Sequence, residues 1–562
     1  MRKAIPIGFE DIKTIADKNL YYVDKTMMIK ELLDSPASAA LFTRPRRFGK
    51  TLNLSMIRRF FEMELNREGT LVDNGYIFEG LAISSCGEEY LSHQQQYPVI
   101  NLSLKSAKQP SFEMAYLSLA DEISKEFARH EYVLKAEALE DTEKEQFLRI
   151  RQKRAEQIEY AKALAFLSDC LKKYHQKNVI ILIDEYDVPL ENAYFEGFYN
   201  QMIAFVRSLF ESALKTNPSL EFAVISGCLR ISRESIFTGL NNLKIHSIIS
   251  PAFGDSFGFT DADVKEMLGY YRLDDKFDEL KLWYDGYQFG EVEIYNPWSI
   301  LNYVDTALVN HDALPEPYWS NTSSNSIVRE LVEDAGMETR EELERLIEGE
   351  SIEKPIHEDI TYEDIHKSMD NLWNFLFFTG YLKSCGRRKE AEQTYVQLTI
   401  PNMEILSVYK RSIWSWFEER VEETDRSILI KALEEGDCKT AGDFISDQLL
   451  ATISVFDYAE SYYHGFLAGL LRGNGKYLVL SNRESGNGRP DMILKTPSVR
   501  GTAVVLELKI ADSFDRMEER CEAALAQIEK KNYEAQLREE GYHSIRRYGI
   551  SFYRKECMIM GE

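Results

Sequence analysis

The chain has 562 residues, 44% hydrophobic and 28% charged, a balance that suits folded protein and excludes a disordered one. Its 67 basic and 92 acidic residues leave a net charge of −25, which excludes a surface that coats nucleic acid or anionic lipid with its whole extent. A local basic site stays open, and the length predicts about three to five folding units.

Seven dispersed cysteines with no CxxC pair fit reduced thiols rather than a disulfide framework or a zinc site. The first residues lack the apolar core of a secretory signal. The longest apolar runs, such as residues 179–183, fall far short of the ~20 residues of a membrane span. The expectation is a cytoplasmic protein without a membrane partner.

Taken in chain order, residues 1–260 alternate short apolar runs with stretches of helical spacing, the pattern of a parallel α/β sheet. Strands are expected at 39–43, 98–104, 178–183 and 220–226, with helices between them at 111–129 and 164–174. The first strand runs into Arg44-Pro45-Arg46-Arg47-Phe48-Gly49-Lys50-Thr51 and then a helical stretch. Strand, loop, Gly-Lys-Thr and helix form the context of a nucleotide phosphate-binding loop, although Arg44 stands where the pattern's first Gly belongs. Lys50 is placed to neutralise β/γ phosphates, and Thr51 to ligate Mg²⁺. Asp184 follows the run 178–183, expected to be the adjacent parallel strand, and is placed to make a second Mg²⁺ contact. Glu185 beside it is placed to polarise the attacking water. Arg44, Arg46 and Arg47 belong to a stretch, residues 1–60, with 12 basic and 6 acidic residues. They read as a cluster for phosphates of nucleotide or nucleic acid.

From about residue 259 the strand pattern fades. Thr260 is placed as the N-cap of a following helix. Residues 329–370 hold 5 basic and 15 acidic residues and read as a solvated helical connector. Helical spacing continues to about residue 451.

The last part returns to α/β character, with an amphipathic stretch at 456–471 and strands at 477–480, 490–494, 502–510 and 548–553. A helix carries Met517, Cys521, Ala524, Leu525 and Ile528 on one face. Glu507 and Lys509 lie two apart on a strand and share a face. Asp491 opens the preceding strand of an expected hairpin. Two carboxylates and a lysine on one face suit Mg²⁺ binding, water activation and stabilisation of phosphorane charge. A solvated alternating strand is the bland reading of the same residues.

Together with the loop, Tyr22-Val23-Asp24-Lys25-Thr26, Asp184-Glu185-Tyr186-Asp187, Arg230-Ile231-Ser232-Arg233 and Trp283-Tyr284-Asp285-Gly286-Tyr287 resemble the predicted AAA-ATPase-like proteins of bacteria. The likeness covers roughly the first 330 residues. In that family Arg at the first loop position is usual, so Arg44 does not mark a dead site. The resemblance implies ATP and Mg²⁺ as cofactors, with Arg44, Arg46, Arg47, Phe48, Gly49, Lys50, Thr51 and Asp184 around the nucleotide. It also implies Ser226 as a polar sensor, and Arg230 or Arg233 as a transition-state cation in cis or in trans; surface pairing with acids is the alternative for these arginines.

Pro490-Asp491, Glu507-Leu508-Lys509 and Tyr463-His464-Gly465-Phe466 resemble the PD-(D/E)XK nuclease superfamily, over about residues 450–555. That likeness puts Asp491, Glu507 and Lys509 in the three motif positions. Glu460 stands where an added metal ligand is often found, and Gln527 and Tyr533 in auxiliary positions. His464 reads as a packed or hydrogen-bonded ring rather than a ligand.

The expected architecture is α/β: a P-loop NTPase parallel sheet at 1–260, a helical lid and connector at 261–450, and a restriction-endonuclease-like unit at 451–562. The expected function is an ATPase whose nucleotide state gates a Mg²⁺-dependent nuclease acting on DNA or RNA. The alternative is a nucleotide-dependent signalling or binding switch with a non-cleaving recognition domain. Homo-oligomerisation stays open, since no heptad or interface signature marks it.

Overall fold

The apolar run Val179–Asp184 is buried along its whole length, as a strand covered on both faces must be. It is β3 of a five-stranded parallel sheet with β1 (Ala39–Thr43), β2 (Val99–Ser103), β4 (Leu220–Gly227) and β5 (Leu243–His246), in the order β2-β3-β4-β1-β5. β4 therefore lies between the strand that feeds the Gly-Lys-Thr loop and the strand that ends in Asp184, which corrects the expected adjacency. Helices Phe112–Arg129, with Ser111 as its N-cap, and Ala163–His175 flank the sheet.

The computed structural model describes residues 2–66, 69–215, 217–230, 237, 242–319, 328–329, 331, 336–358, 365, 368–391, 393–423, 425–451, 460–472, 476–481 and 490–561. Packing divides the chain into two units, residues 1–322 with 351–406 and residues 323–350 with 407–562. Residues of the expected connector are shared between them.

In the first unit, Thr260 caps the helix Asp261–Tyr271 through a reciprocal bond with Asp263. Met267, Leu268 and Tyr271 pack with Leu280, Tyr284, Ile300 and Tyr303 from the helices Phe277–Tyr284 and Pro297–Val309. This region is less helical than its sequence suggested. It contains the hairpin β6 (Tyr287–Phe289) and β7 (Val292–Ile294), and an antiparallel sheet of β8 (Ile352–Pro355), β10 (Gln393–Thr399) and β9 (Lys383–Glu390). β9 reads Lys-Ser-Cys-Gly-Arg-Arg-Lys-Glu, with no alternating apolar face to announce it. Arg388 is held instead by Glu353 of β8 and by the Tyr395 ring of β10.

The second unit is built on a mixed sheet, β11 (Leu478–Ser481), β12 (Met492–Lys495), β13 (Thr502–Ile510), β14 (Ser544–Tyr553) and β15 (Glu556–Gly561), in that order. Only β13 and β14 are parallel, and the helix Met517–Lys531 makes their crossover. Met517, Cys521, Ala524 and Ile528 form its buried face. The helix Met403–Glu423 begins in the first unit and carries the chain into the second. Among the described residues no helix is long and apolar enough to cross a membrane.

Candidate functional sites

The loop after β1 turns through two left-handed residues, Arg47 (φ +68°) and Gly49 (φ +83°). A Cβ on Gly49 would meet nothing within 4 Å, so its requirement is conformational and the space above the loop is open. Lys50 then starts the helix Lys50–Phe61. Its Nζ donates to the carbonyls of Arg44 and Pro45, each at 2.8 Å, and lies 3.6 Å from Cys228 Sγ. The ammonium thus sits inside the loop, beside helix N–H groups suited to anions.

β4 supplies the bridge across the sheet. Thr51 Oγ1 donates to Asp184 Oδ2 at 2.7 Å, and Ser226 Oγ at the end of β4 donates to the other oxygen, Oδ1. Thr51, Asp184 and Ser226 are therefore brought together although β1 and β3 do not pair. Glu185 follows with φ +52°, a left-handed conformation in a non-glycine residue. Burial raises the pKa of its carboxyl, and the neighbouring Asp184 charge adds to the rise. A cleft of about 370 Å³, lined by Asp11, Thr51, Arg58, Asn101, Ser103 and Asp184, opens beside this cluster. Hydroxyl, carboxylate, ammonium and open helix terminus together fit a nucleotide phosphate with a hard cation.

Two residues of the Asp-Glu-Tyr-Asp motif have roles that spacing did not reveal. Asp187 is buried and accepts from the N–H groups of Cys228 (2.7 Å) and Leu229 (3.2 Å). Tyr186 donates its hydroxyl to the Leu229 carbonyl. They tie the end of β3 to the turn after β4, and Gly227 must be glycine there: a Cβ would stand 2.5 Å from the Tyr186 ring and 2.8 Å from Asp187 Oδ1.

The arginine cluster does not converge as expected. Arg44 is fully buried, and its guanidinium donates to the carbonyls of Thr43, His246 and Phe253 while packing on the Phe257 and Phe289 rings. Burial lowers its pKa to about 9. The side chain is a pillar under the loop, and only its carbonyl faces Lys50. Arg46 pairs with Glu191 at 2.5 Å. Arg47 lies on Trp298, 4.4 Å from the ring centre, and donates to the Tyr318 carbonyl at 3.0 Å. Phe48 is buried against Tyr287 and Phe289. Arg230 pairs with Glu358 at 3.2 Å, the surface pairing weighed for it from sequence; Arg233 lies outside the described residues.

Near Arg47, Glu404 is wholly buried in the first turn of the helix Met403–Glu423. It accepts from Ser299 Oγ and from the Trp319 N–H at 2.8 Å. Burial raises its pKa to about 7, and the Arg47 charge works against the rise. Nothing in the composition singled out this acid.

In the second unit, β12 and β13 form the expected hairpin, with Met492 opposite Leu506. Asp491, one residue before β12, accepts the Leu508 N–H on Oδ2 at 2.7 Å, and its own N–H lies 3.4 Å from Glu507 Oε2. Lys509 Nζ is 3.4 Å from Glu507 Oε1, and Gln527 of the crossover helix donates to the same oxygen. Asp491, Glu507 and Lys509 thus meet at one point. Burial raises the pKa of Glu507 to about 7, and the adjacent Asp491 charge adds to it. A buried carboxylate beside a half-buried one, with a lysine next to the first, is a donor set that fits a divalent cation. Glu460 opens the helix Glu460–Leu471, and its side chain lies outside the described residues. Among the described residues no three His, Cys, Asp or Glu side chains form a metal cluster. A cation at either site would therefore complete its shell with hydroxyl, water or phosphate oxygens, as Mg²⁺ commonly does.

The fold defines a P-loop protein joined to an α/β unit of the restriction-endonuclease type. Residues 6–237 match the family described as Predicted AAA-ATPase, and residues 458–562 match the PD-(D/E)XK nuclease superfamily, so the resemblance read at both ends of the sequence holds. A relative from Azotobacter chroococcum mcd 1, named "Uncharacterized protein in vnfD 5'region", is 24% identical over 578 residues, covering 100% of this chain and 98% of its own. That alignment spans both of the matched regions of this chain.

Proposed function

We propose that the protein is a cytoplasmic ATPase whose nucleotide state gates a Mg²⁺-dependent nuclease acting on DNA or RNA. Residues 1–260 serve as the ATPase, 261–450 as lid and connector, and 451–562 as the nuclease. The observation that carries this reading is the convergence of Asp491, Glu507 and Lys509 within the second unit, on a chain whose first unit brings Thr51, Asp184 and Ser226 together beside Lys50 and Glu185.

In the first centre, Lys50 grips phosphate oxygens, while Thr51 and Asp184 hold the cation. Ser226 fixes the Asp184 carboxylate, and Glu185, whose raised pKa makes its ionised carboxylate a stronger base, takes the proton of the attacking water. In the second, Asp491 and Glu507 hold the cation and Lys509 stabilises charge on the phosphodiester. A divalent cation held there supplies Lewis acidity and a more acidic water. Support for gating comes from the loop itself. Its Arg47 and Phe48 are anchored in residues 287–318, close to the buried Glu404 at the head of the helix that continues into the second unit.

The test is cleavage of labelled DNA and RNA oligonucleotides with Mg²⁺, with and without ATP. Asp491→Ala should abolish cleavage, and Lys50→Ala should remove its response to ATP. Cleavage that survives Asp491→Ala refutes the nuclease assignment, and an ATP response that survives Lys50→Ala refutes the gating.

A further inference from the structure

Asp491 lies just outside the strand ladder, since the last β11–β12 pair joins Ser481 to Met492. A carboxylate at such a position needs its backbone held by something else. The structure provides His464, on the helix Glu460–Leu471, whose Nε2 lies 2.9 Å from the Asp491 carbonyl and 3.2 Å from Ser481 Oγ. A carbonyl only accepts, so Nε2 carries the hydrogen and the ring donates from that atom. The helix beneath is fixed next door: Tyr463 stacks on Phe552 of β14 at 4.3 Å and donates its hydroxyl to the Arg554 carbonyl at 2.6 Å.

We propose that His464, its ring aimed by Ser481 Oγ as a second acceptor of the Nε2 hydrogen, is a positioning residue that holds the Asp491 backbone so that its carboxylate stays beside Glu507. It acts as a side-chain extension of the sheet, supplying the hydrogen bond that the ladder no longer provides. Because Nε2 is spent on a carbonyl, the ring serves the cation site from behind. This inference rests on the nuclease reading of Asp491 and Glu507. Outer-shell partners of this kind typically change metal affinity by about 10–100-fold.

The test is an Mn²⁺ titration, followed by the electron paramagnetic resonance of free Mn²⁺. It uses the full chain without nucleotide and with Thr51→Ala to silence the phosphate-loop centre. In that background Asp491→Ala should abolish tight Mn²⁺ binding. His464→Leu, which keeps bulk and removes the donor, should weaken binding about tenfold and raise by the same factor the Mg²⁺ needed for half-maximal cleavage. The kcat at saturating Mg²⁺ should change little. His464→Gln, whose amide N–H can reach the same carbonyl, should restore most of the loss. Ser481→Ala, a deletion of one hydroxyl, should shift binding in the same direction by less, and carries the test should His464→Leu fail to fold.

Unchanged Mn²⁺ binding in Asp491→Ala overturns the two-carboxylate reading and the inference with it. Loss in Asp491→Ala with none in His464→Leu or Ser481→Ala overturns the positioning role alone. A Gln variant as weak as the Leu variant assigns the effect to ring packing and also overturns it.

Discussion

Replacing Glu507 by Gln should make the cation-free protein more stable and at the same time unable to respond to Mg²⁺. The Glu507 carboxyl is 2% exposed, and its pKa rises from 4.5 to about 7 through burial and the Asp491 charge. In the fold the neutral form is favoured, whereas the unfolded chain ionises near its ordinary value. Between those two pH values the native state holds the extra proton, so stability falls as pH rises through the window, and the full cost is present above about pH 7. The shift corresponds to roughly 3 kcal/mol at pH 8 and about 1 kcal/mol at pH 5. Gln cannot ionise and escapes this cost, and its amide can still accept from Gln527. Calorimetry in chelator should show the second unit of Glu507→Gln melting about 6–12 °C above the parent at pH 8, with a much smaller gap at pH 5. Adding Mg²⁺ should raise the parent's midpoint and leave the variant's nearly unmoved. A gap that does not widen between pH 5 and pH 8, or equal stabilisation of both proteins by Mg²⁺, would refute the reasoning.

Other substitutions separate grip from scaffolding in the first centre. Arg44→Met should lower the thermal midpoint by the equivalent of about 3 kcal/mol, because three buried carbonyls lose their donor; normal stability with weakened ATP binding would return this arginine to the phosphates. Gly227→Ala should cost about 1–3 kcal/mol and slow ATP turnover by pushing Tyr186 and Asp187 from the turn after β4, and a variant unchanged in both melting and turnover contradicts that contact. Lys50→Ala should reduce ATP hydrolysis on the order of a hundredfold in a phosphate-release assay, and full activity would exclude the loop as the nucleotide site.

Elements with a single dominant physical cause could be read from the residues. β3 is an unbroken apolar run, and the β12–β13 hairpin and the Thr260 cap carry local patterns that survive any tertiary context. β5 and β9 do not. Leu-Lys-Ile-His is too short to show a period, and Arg387-Arg388-Lys389 is stabilised by partners on other strands that no window along the chain contains. Sheet order is likewise a long-range property, so β4 could not be placed between β1 and β3 in advance. At the sites, residue types and spacing picked out Lys50, Thr51, Asp184, Asp491, Glu507 and Lys509. They misjudged Arg44, because an arginine beside a phosphate loop looks the same whether its guanidinium faces the ligand or the core. Glu404 and Asp187 were missed for the opposite reason, since a buried acid has no local sequence mark distinguishing it from an exposed one.

The bonds inside the phosphate loop carry a thermodynamic consequence. Lys50 is engaged with the Arg44 and Pro45 carbonyls, and Thr51 with Asp184. An anion that recruits Lys50 leaves two carbonyls to be resolvated, and a cation that recruits Thr51 and Asp184 breaks the hydroxyl–carboxylate bond between them. Each ligand alone bears its own disruption, whereas both together also gain their mutual attraction across the same few ångströms. Binding of one must then strengthen binding of the other by an equal factor. On the nucleotide reading proposed above, a loop closed on itself in this way would discriminate against free phosphate and free cation and respond to the two as a complex.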